Sequence, residues 1–259
     1  MARSTAAWPA GPNCQLPRTV APFRAETVVS YLARLAHANH LSPPQLRQYV
    51  AGRAGGYPHV DWLAIASGQP QQVLRSRLRG LSAGDRDFSR QTYQSRPMCR
   101  FCMARRGIRE PVYCWLPLHV TVCHHHQRWI GPPARTLDDQ EDLHDHPQVL
   151  DAARNHGALM RRYGTQRSLR ALRDARHILI YWANAEKRAT TPILASTLAS
   201  CIAAYPDLIG VALLLAAHRD DVQQRVIREG IDWATYPGFF AECRLLRCVD
   251  KRKCLSCKG

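Results

Sequence analysis

The chain has 259 residues, of which 46% are hydrophobic but only 8% are aromatic. This composition excludes wholesale disorder and favours a core of aliphatic side chains and alanine, which suits helices. Lysine and arginine total 36 against 20 aspartate and glutamate residues, so the net charge is +16. Such a surplus favours a polyanionic partner, which is DNA, RNA or an acidic membrane surface, although a solvated basic surface would have the same composition.

The beginning of the sequence lacks the apolar segment of a secretory signal. The most apolar run, LIGVALLLAA, is shorter than the ~18 residues of a membrane span and predicts a buried helix. We therefore expect a cytoplasmic, nucleoid-associated protein that makes no membrane contact. In a reducing compartment, ten cysteines are better explained by metal binding than by disulfide bonds.

The first part of the chain predicts an arm followed by a helical module. Residues 1–24 are proline-rich and predict an extended N-terminal arm, and residues 25–95 predict helices. The first helix falls in RAETVVSYLARLAHANHL. The second has Ser42 as its candidate N-cap and Pro43 in its first turn.

The stretch HVDWLAIASGQPQQVLRSRLRGLS predicts two further helices joined by a turn at Ser67 and Gly68. Helix, short glycine-containing turn and helix is the order of a helix-turn-helix unit. We place Arg75, Arg77 and Arg79 on its second helix as candidate nucleic-acid contacts. The alternative is an ordinary helical hairpin with no contact to DNA.

The rest of the chain predicts a central metal-binding module and a helical C-terminal half. Residues 96–131 predict a zinc-finger module with short β-strands, and residues 132–147, which include DDQED, predict a solvated acidic linker. Residues 148–259 predict a helical domain that ends in a cysteine-rich basic tail. Its helices are expected near 148–163, 167–187, 192–204, 207–229 and 237–248. The fold class is therefore mainly α.

Four residues in the central module have the spacing of a structural zinc site. Cys99 and Cys102 form a C-x2-C pair, and Cys123 and His126 form a C-x2-H pair. Two close ligand pairs separated by a short excursion allow four donors to surround one ion. The excursion PVYCWLPLHVTV is rich in β-branched and aromatic residues, so we expect it to form a strand pair that brings the two ligand pairs together.

The same stretch offers competing ligands. Cys114 lies in the middle of the predicted strand and is interpreted as a core residue, and His119 lies in the same strand segment. His124 and His125 are expected to face solvent in the turn, with His125 in place of His126 as the one alternative. Four protein ligands leave no position for water, so the zinc is predicted to be structural.

A second candidate metal site lies in the C-terminal tail, CRLLRCVDKRKCLSCKG. Cys243, Cys248, Cys254 and Cys257 could form an all-cysteine tetrahedral site, or they could belong to a basic tail that binds no metal. The sequence has neither a phosphate-binding glycine-rich loop nor a Gly-x-Ser-x-Gly motif. We therefore expect no catalytic residues and no enzyme activity.

Three motifs, in order, resemble the TniQ family of transposition proteins, and together they cover roughly residues 16–131. LPRTVAPFRAETVVSYLARLAHANHLS is similar to the family opening, in which a proline-rich lead and a Glu-Ser/Thr step precede a Tyr-Leu-x-Arg-Leu-Ala helix. DWLAIASGQPQQVLRSRLRGLS is similar to the next segment. The zinc-ligand pattern with Trp115 eight residues before Cys123 is similar to the third.

This resemblance implies an adaptor that links target DNA to a transposase and its AAA+ ATPase regulator, with zinc in a structural role. It leaves one alternative open: a protein-interaction module that docks on another targeting complex without direct DNA contact. In either case the chain could form a homodimer. The family's second ligand pair usually reads Cys-Pro-x-His-Gly. Here the corresponding residues are Cys123, His124, His125, His126 and Gln127.

Overall fold

The structure is a computed structural model that describes residues 11–81, 92–185, 193 and 197–229. The chain divides into an N-terminal unit, Met1–His146, and a C-terminal unit, Pro147–Gly259. Among the described residues, helices predominate over two small sheets, so the fold is mainly α. The predicted helix at 237–248 and the four cysteines of the tail lie outside the described residues.

Two helices of the N-terminal unit begin at a residue whose side chain caps them. The described helices are α1 (Val28–Ala38), α2 (Pro43–Ala51), α3 (Val60–Ser67), α4 (Gln71–Arg77) and α5 (Arg100–Ala104). Helix α2 starts with the predicted N-cap Ser42, which exchanges hydrogen bonds with Gln45 in a capping box. The first four helices bury Tyr31, Leu35, Leu63 and other apolar side chains in one core.

The turn between α3 and α4 contains Gly68, whose φ of 64° is left-handed, as expected of a glycine that ends a helix. A helix, a short turn and a helix are therefore present, while their use in reading DNA stays a prediction. Helix α4 ends at Arg77, and the prediction that Arg79 lies on this helix is wrong. Leu78 leaves the helix in an extended conformation because it pairs with a neighbouring strand.

Four short strands form a mixed sheet in the order β2-β1-β4-β3. The strands are β1 (Glu26–Thr27), β2 (Leu78–Arg79), β3 (Tyr93–Pro97) and β4 (Tyr113–Pro117). Strand β3 crosses the predicted boundary at 95/96, so the helical and metal-binding modules share one sheet. A second sheet pairs β5 (Val122–Cys123) with β6 (Arg128–Trp129). The prediction that PVYCWLPLHVTV forms a strand pair of its own is therefore wrong: β4 pairs with β3, and β5 pairs with β6.

A buried polar network joins α1 to the sheet. The Glu26 carboxylate accepts two hydrogen bonds from the Arg34 guanidinium, at 2.9 and 2.8 Å, and others from the Ser30 hydroxyl and the Phe23 amide. The Ser30 hydroxyl in turn accepts a hydrogen bond from the Tyr113 amide in β4. Because a buried charge requires a partner, this network fixes α1 against the sheet.

Arg96 connects β3 to the second sheet. Its side chain is fully buried, and its guanidinium donates to the carbonyl groups of Val120 and Ile130 at 3.0 and 2.6 Å. It also donates to the Pro117 carbonyl at 2.8 Å. A charged donor shared among buried carbonyls therefore holds the chain segments that carry the second ligand pair.

The prediction that residues 132–147 form a solvated linker is wrong. This segment folds back on the metal-binding module, where Ala134, Gln140 and Leu143 are buried. The Trp129 amide donates to the Glu141 carbonyl at 2.9 Å, and the Leu143 amide donates to the Gln127 carbonyl at 2.8 Å. Most of its acidic side chains are exposed, which accounts for its polar composition.

The C-terminal unit is helical in its described part, with α6 (Pro147–Ala185) and α7 (Leu198–Glu229). A kink at Gly164, whose φ is 73°, separates α6 into two segments near the break that the sequence predicts. The separate helices predicted at 192–204 and 207–229 are instead one helix that continues through Pro206. A proline removes one backbone donor, and the rest of the helix hydrogen bonds sustain it.

Helix α7 packs through Ala212 and Ala216 against Leu159 and Ala171 of α6. Because it is continuous, it is longer than the apolar run seen in the sequence: an 18-residue window within Leu198–Arg225 reaches a mean hydropathy of 1.9. By length and composition alone this helix could cross a membrane, a test that the core helix of a helical protein also passes. The expectation of no membrane contact stays a prediction.

Candidate metal centre

Two local structures hold the four predicted ligands. Cys99 precedes α5 as its N-cap residue, and Cys102 lies in the first turn of that helix. Cys123 ends β5, and His126 lies in the turn that leads to β6. Both pairs are local, because only two residues separate the members of each. Their meeting is not local, since it depends on the contacts of Arg96 with the chain between them.

The four donor atoms converge on one point. The Cys102 and Cys123 sulfurs are 3.6 Å apart, and the His126 Nδ1 atom lies 3.3 Å from the Cys102 sulfur. The same nitrogen is 3.6 Å from the Cys99 sulfur and 3.7 Å from the Cys123 sulfur. All four donors lie within 4.8 Å of one another. The residues predicted from spacing are therefore close enough to bind one metal ion.

These separations match a tetrahedral metal site. Zinc bonds of ~2.3 Å to sulfur and ~2.0 Å to nitrogen imply donor separations of roughly 3.5 to 3.8 Å around a tetrahedron. The observed sulfur–sulfur and sulfur–nitrogen distances fall close to this spacing. Three thiols and an imidazole are donors that zinc prefers, and a four-donor set leaves no position for a reacting water. The geometry thus fits a structural site.

Without a cation, the site favours protonated thiols and a neutral imidazole, so metal binding would release protons from the cysteines. Burial, together with the nearby Cys123 and Cys99 thiols, raises the pKa of Cys102 to about 12. Burial likewise raises the pKa of Cys99. Partial desolvation, with the positive charges of His125 and Arg105, lowers the pKa of His126 and favours the neutral imidazole that can bind a metal.

The other candidate ligands lie away from the donors. Cys114 is fully buried in β4, where it packs with Met103 and Val112 as a core residue, and burial raises its pKa to about 12. His119 follows the end of β4 rather than lying in it. His124 is exposed, and the His125 ring meets Arg105 on the surface. His126, and not His125, belongs to the described ligand cluster.

Gln127 occupies the position at which the resembling family usually has glycine. Its φ is 47°, a left-handed conformation that glycine adopts without steric cost. Its backbone carbonyl accepts from Leu143, and its side-chain oxygen lies 3.0 Å from the His144 Nδ1 atom. The turn therefore keeps a glycine-like backbone without the glycine, and residues of the folded-back segment 132–147 hold it there.

Gln140 is a supporting residue that the sequence did not reveal. Its amide nitrogen donates to the Met98 carbonyl at 2.9 Å, and its amide oxygen accepts from the Arg100 backbone at 2.9 Å. These two groups flank Cys99 on either side. Since Gln140 lies among acidic residues, no sequence signal separates it from a solvated side chain. Only its burial identifies it.

Replacing Gln140 by alanine should weaken metal binding without removing a ligand. Loss of a residue that orients a ligand typically lowers metal affinity ~10- to 100-fold. We expect a loss in that range when the protein competes with a chromophoric chelator for Zn²⁺. Gln148→Ala, at an exposed position in α6, is the control and should leave the affinity unchanged. Equal affinities of the Gln140 variant and the wild type would contradict a supporting role.

The predicted nucleic-acid contacts occupy two environments. Arg75 and Arg77 are exposed on α4, and the Arg77 guanidinium donates to the Pro22 carbonyl at 3.3 Å. Arg79 is half-buried in β2. The structure therefore leaves two of the three arginines on an accessible helix and moves the third to the sheet.

Comparison of the whole chain with protein-family profiles, with curated proteins and with solved structures finds no match.

Proposed function

We propose that this chain is a TniQ-like adaptor of transposition: a non-catalytic DNA-binding protein, stabilised by structural zinc, that links target DNA to a transposase and its AAA+ ATPase regulator. The observation that carries the proposal is the cluster of Cys99, Cys102, Cys123 and His126, which falls at the positions of the family's zinc motif. A net charge of +16 supports a DNA partner. We place this function in the cytoplasm.

The N-terminal motif of the resemblance supports the same proposal. Its glutamate and arginine are Glu26 and Arg34, which form one buried network with Ser30 in contact with β4. Motifs that lie far apart in the chain thus meet in one unit, Met1–His146. A shared structural role explains why these motifs would occur together in a single family.

DNA contact by α4 predicts a measurable salt dependence. Removing the side chain that contacts one phosphate should weaken binding about equally across sequences and reduce the slope of log affinity against log salt by about 1. We expect Arg75→Gln/Arg77→Gln to lower duplex affinity and to reduce that slope by about 2. Fluorescence anisotropy with a labelled duplex over a salt series measures both quantities.

The control is a variant with the same change in charge. Arg161→Gln/Arg162→Gln replaces two exposed arginines of α6. An equal drop in affinity for both double variants would show that net charge, and not α4, governs binding. Undetectable or salt-insensitive binding by the wild type would contradict direct DNA contact and would favour the alternative, a module that docks on another targeting complex.

A further inference from the structure

A cavity of about 530 Å³ opens on one face of the four-stranded sheet. Side chains alternate between the two faces of a strand. On one face Glu26, Leu78, Arg96 and Cys114 are fully buried. The residues next to them along the strands line the cavity on the opposite face. They are Thr27, Arg79, Ser95, Tyr113 and Trp115. The sheet thus has one core face and one face that is open to a ligand.

Aromatic and aliphatic side chains dominate this cavity. Tyr113 and Trp115 lie two residues apart in β4 and therefore on the same face of the sheet. Val29 of α1 is 67% exposed and Tyr57 is 61% exposed, and both line the cavity. Large apolar side chains exposed around one concavity are typical of a binding site.

The cavity also carries positive charge. Arg47, Arg79 and His37 line it, together with the carboxylate residue Glu110. Arg47 is anchored by a hydrogen bond from its Nε atom to the Gly56 carbonyl at 3.3 Å. Arg79 follows the exposed arginines of α4 by two residues along the chain, and its side chain lines the cavity.

Aromatic rings on an open sheet face, with arginines beside them, are the features with which proteins bind unpaired nucleotides. The rings stack on the bases, and the cations contact the phosphates. A volume of about 530 Å³ is within the usual range for small-ligand pockets, so a nucleotide fits and a duplex does not. A peptide could use the apolar walls, but the net charge of +16 favours a polyanion.

We propose that this cavity binds an unpaired nucleotide of single-stranded DNA, with the base stacked between the exposed ring of Tyr57 and the ring of Trp115 or Tyr113, and with the phosphate beside Arg47. The inference rests on the proposed DNA-binding function and extends it from a duplex to an unpaired strand. Such a site would hold a nucleotide that is displaced or distorted at the target, while α4 contacts the flanking duplex.

The test compares two DNA probes on the full chain: a fluorescein-labelled 12-nucleotide oligo-dT and a duplex of the same length, by anisotropy. Loss of a stacking side chain should weaken oligo-dT binding about fivefold to 150-fold, the range known for base–aromatic stacking, and should leave duplex binding unchanged. We test two variants: Trp115→Leu, on the sheet face that lines the cavity, and Tyr57→Ala, at an exposed position of the lining. Tyr57 is exposed, so its removal does not threaten folding.

Tyr181→Ala is the matched control, because Tyr181 is also 61% exposed but lies in the C-terminal unit. It should leave binding of both probes unchanged. Equal losses for the oligo-dT and duplex probes in the cavity variants would overturn the proposal, as would wild-type protein that binds only the duplex. Tighter binding to oligo-U than to oligo-dT would overturn the assignment to DNA. Failure of the proposed function would give a different result, because the wild-type protein would then not bind the duplex probe.

Discussion

Replacing Cys102 by serine is expected to remove one metal ion per chain and to unfold the metal-binding part of the N-terminal unit. The Cys102 sulfur lies within 3.6 Å of both Cys123 and His126, so its loss breaks the donor set at its centre. Structural zinc contributes on the order of 10 kcal/mol to the folding of small zinc-binding peptides. We expect the melting temperature of the N-terminal unit to fall by about 10 °C or more.

Metal content and thermal unfolding together check this result. Elemental analysis should find one Zn²⁺ fewer per chain, and chelation of the wild type should reproduce the loss of stability. Cys14→Ser is the matched control, since Cys14 is exposed and lies outside the donor cluster. A Cys102→Ser protein that retains the full metal content would refute the assignment of this ligand.

The same measurement tests the second candidate site. Cys254→Ser/Cys257→Ser should lower the metal content by a further ion if Cys243, Cys248, Cys254 and Cys257 bind zinc. These residues lie outside the described part of the chain, so the count of ions decides between a metal site and a basic tail. Unchanged metal content in the tail variant would leave the central cluster as the protein's zinc site.

Replacing Glu26 by glutamine should have the second large effect, on the free energy of unfolding. Both side chains of the Glu26–Arg34 pair are buried, and the 2.8 Å ion pair lies within a network of further hydrogen bonds. Removing one partner leaves the other charge uncompensated, which typically costs about 3–5 kcal/mol. Chemical denaturation followed by circular dichroism measures the loss.

A double-mutant cycle separates this pair from its surroundings. Glu26→Gln/Arg34→Met should be less destabilised than the sum of the two single changes, because no unpaired charge remains. Asp151→Asn is the control: Asp151 pairs with Arg154 on an exposed helix surface, where ion pairs contribute little. Additive losses from the two single changes would show that the buried pair does not act as a unit.

Local sequence patterns determine much of this structure. The Ser42–Gln45 capping box and the turn at Gly68 form where the sequence indicates, because the groups that interact are only a few residues apart. The same locality makes the C-x2-C and C-x2-H pairs visible, so the four members of the donor cluster were predictable from spacing. Composition alone indicates a helical fold.

Sequence patterns give wrong predictions where the structure of a segment depends on contacts with residues far away in the chain. Arg79 has a helical neighbourhood in the sequence but lies in β2, because Leu78 and Arg79 pair with Glu26 and Thr27. Pro206 suggests a break between two helices, but α7 continues through it from Leu198 to Glu229. The acidic segment around Gln140 suggests a linker because a solvated segment and a segment packed on the protein can both be rich in polar side chains. The hydrogen bonds of this segment with the rest of the unit distinguish the two cases.

The sequence by itself therefore determined the four members of the candidate donor cluster, the helical fold class and the basic charge of this protein. Three features depended on the tertiary structure alone. They are how the two ligand pairs meet, which residue bonds the backbone on either side of Cys99, and which face of the sheet lines a cavity. The physical reason is the range of the interactions. Caps and ligand pairs involve neighbouring residues, whereas the contacts of Arg96 and Gln140 join segments more than 20 residues apart.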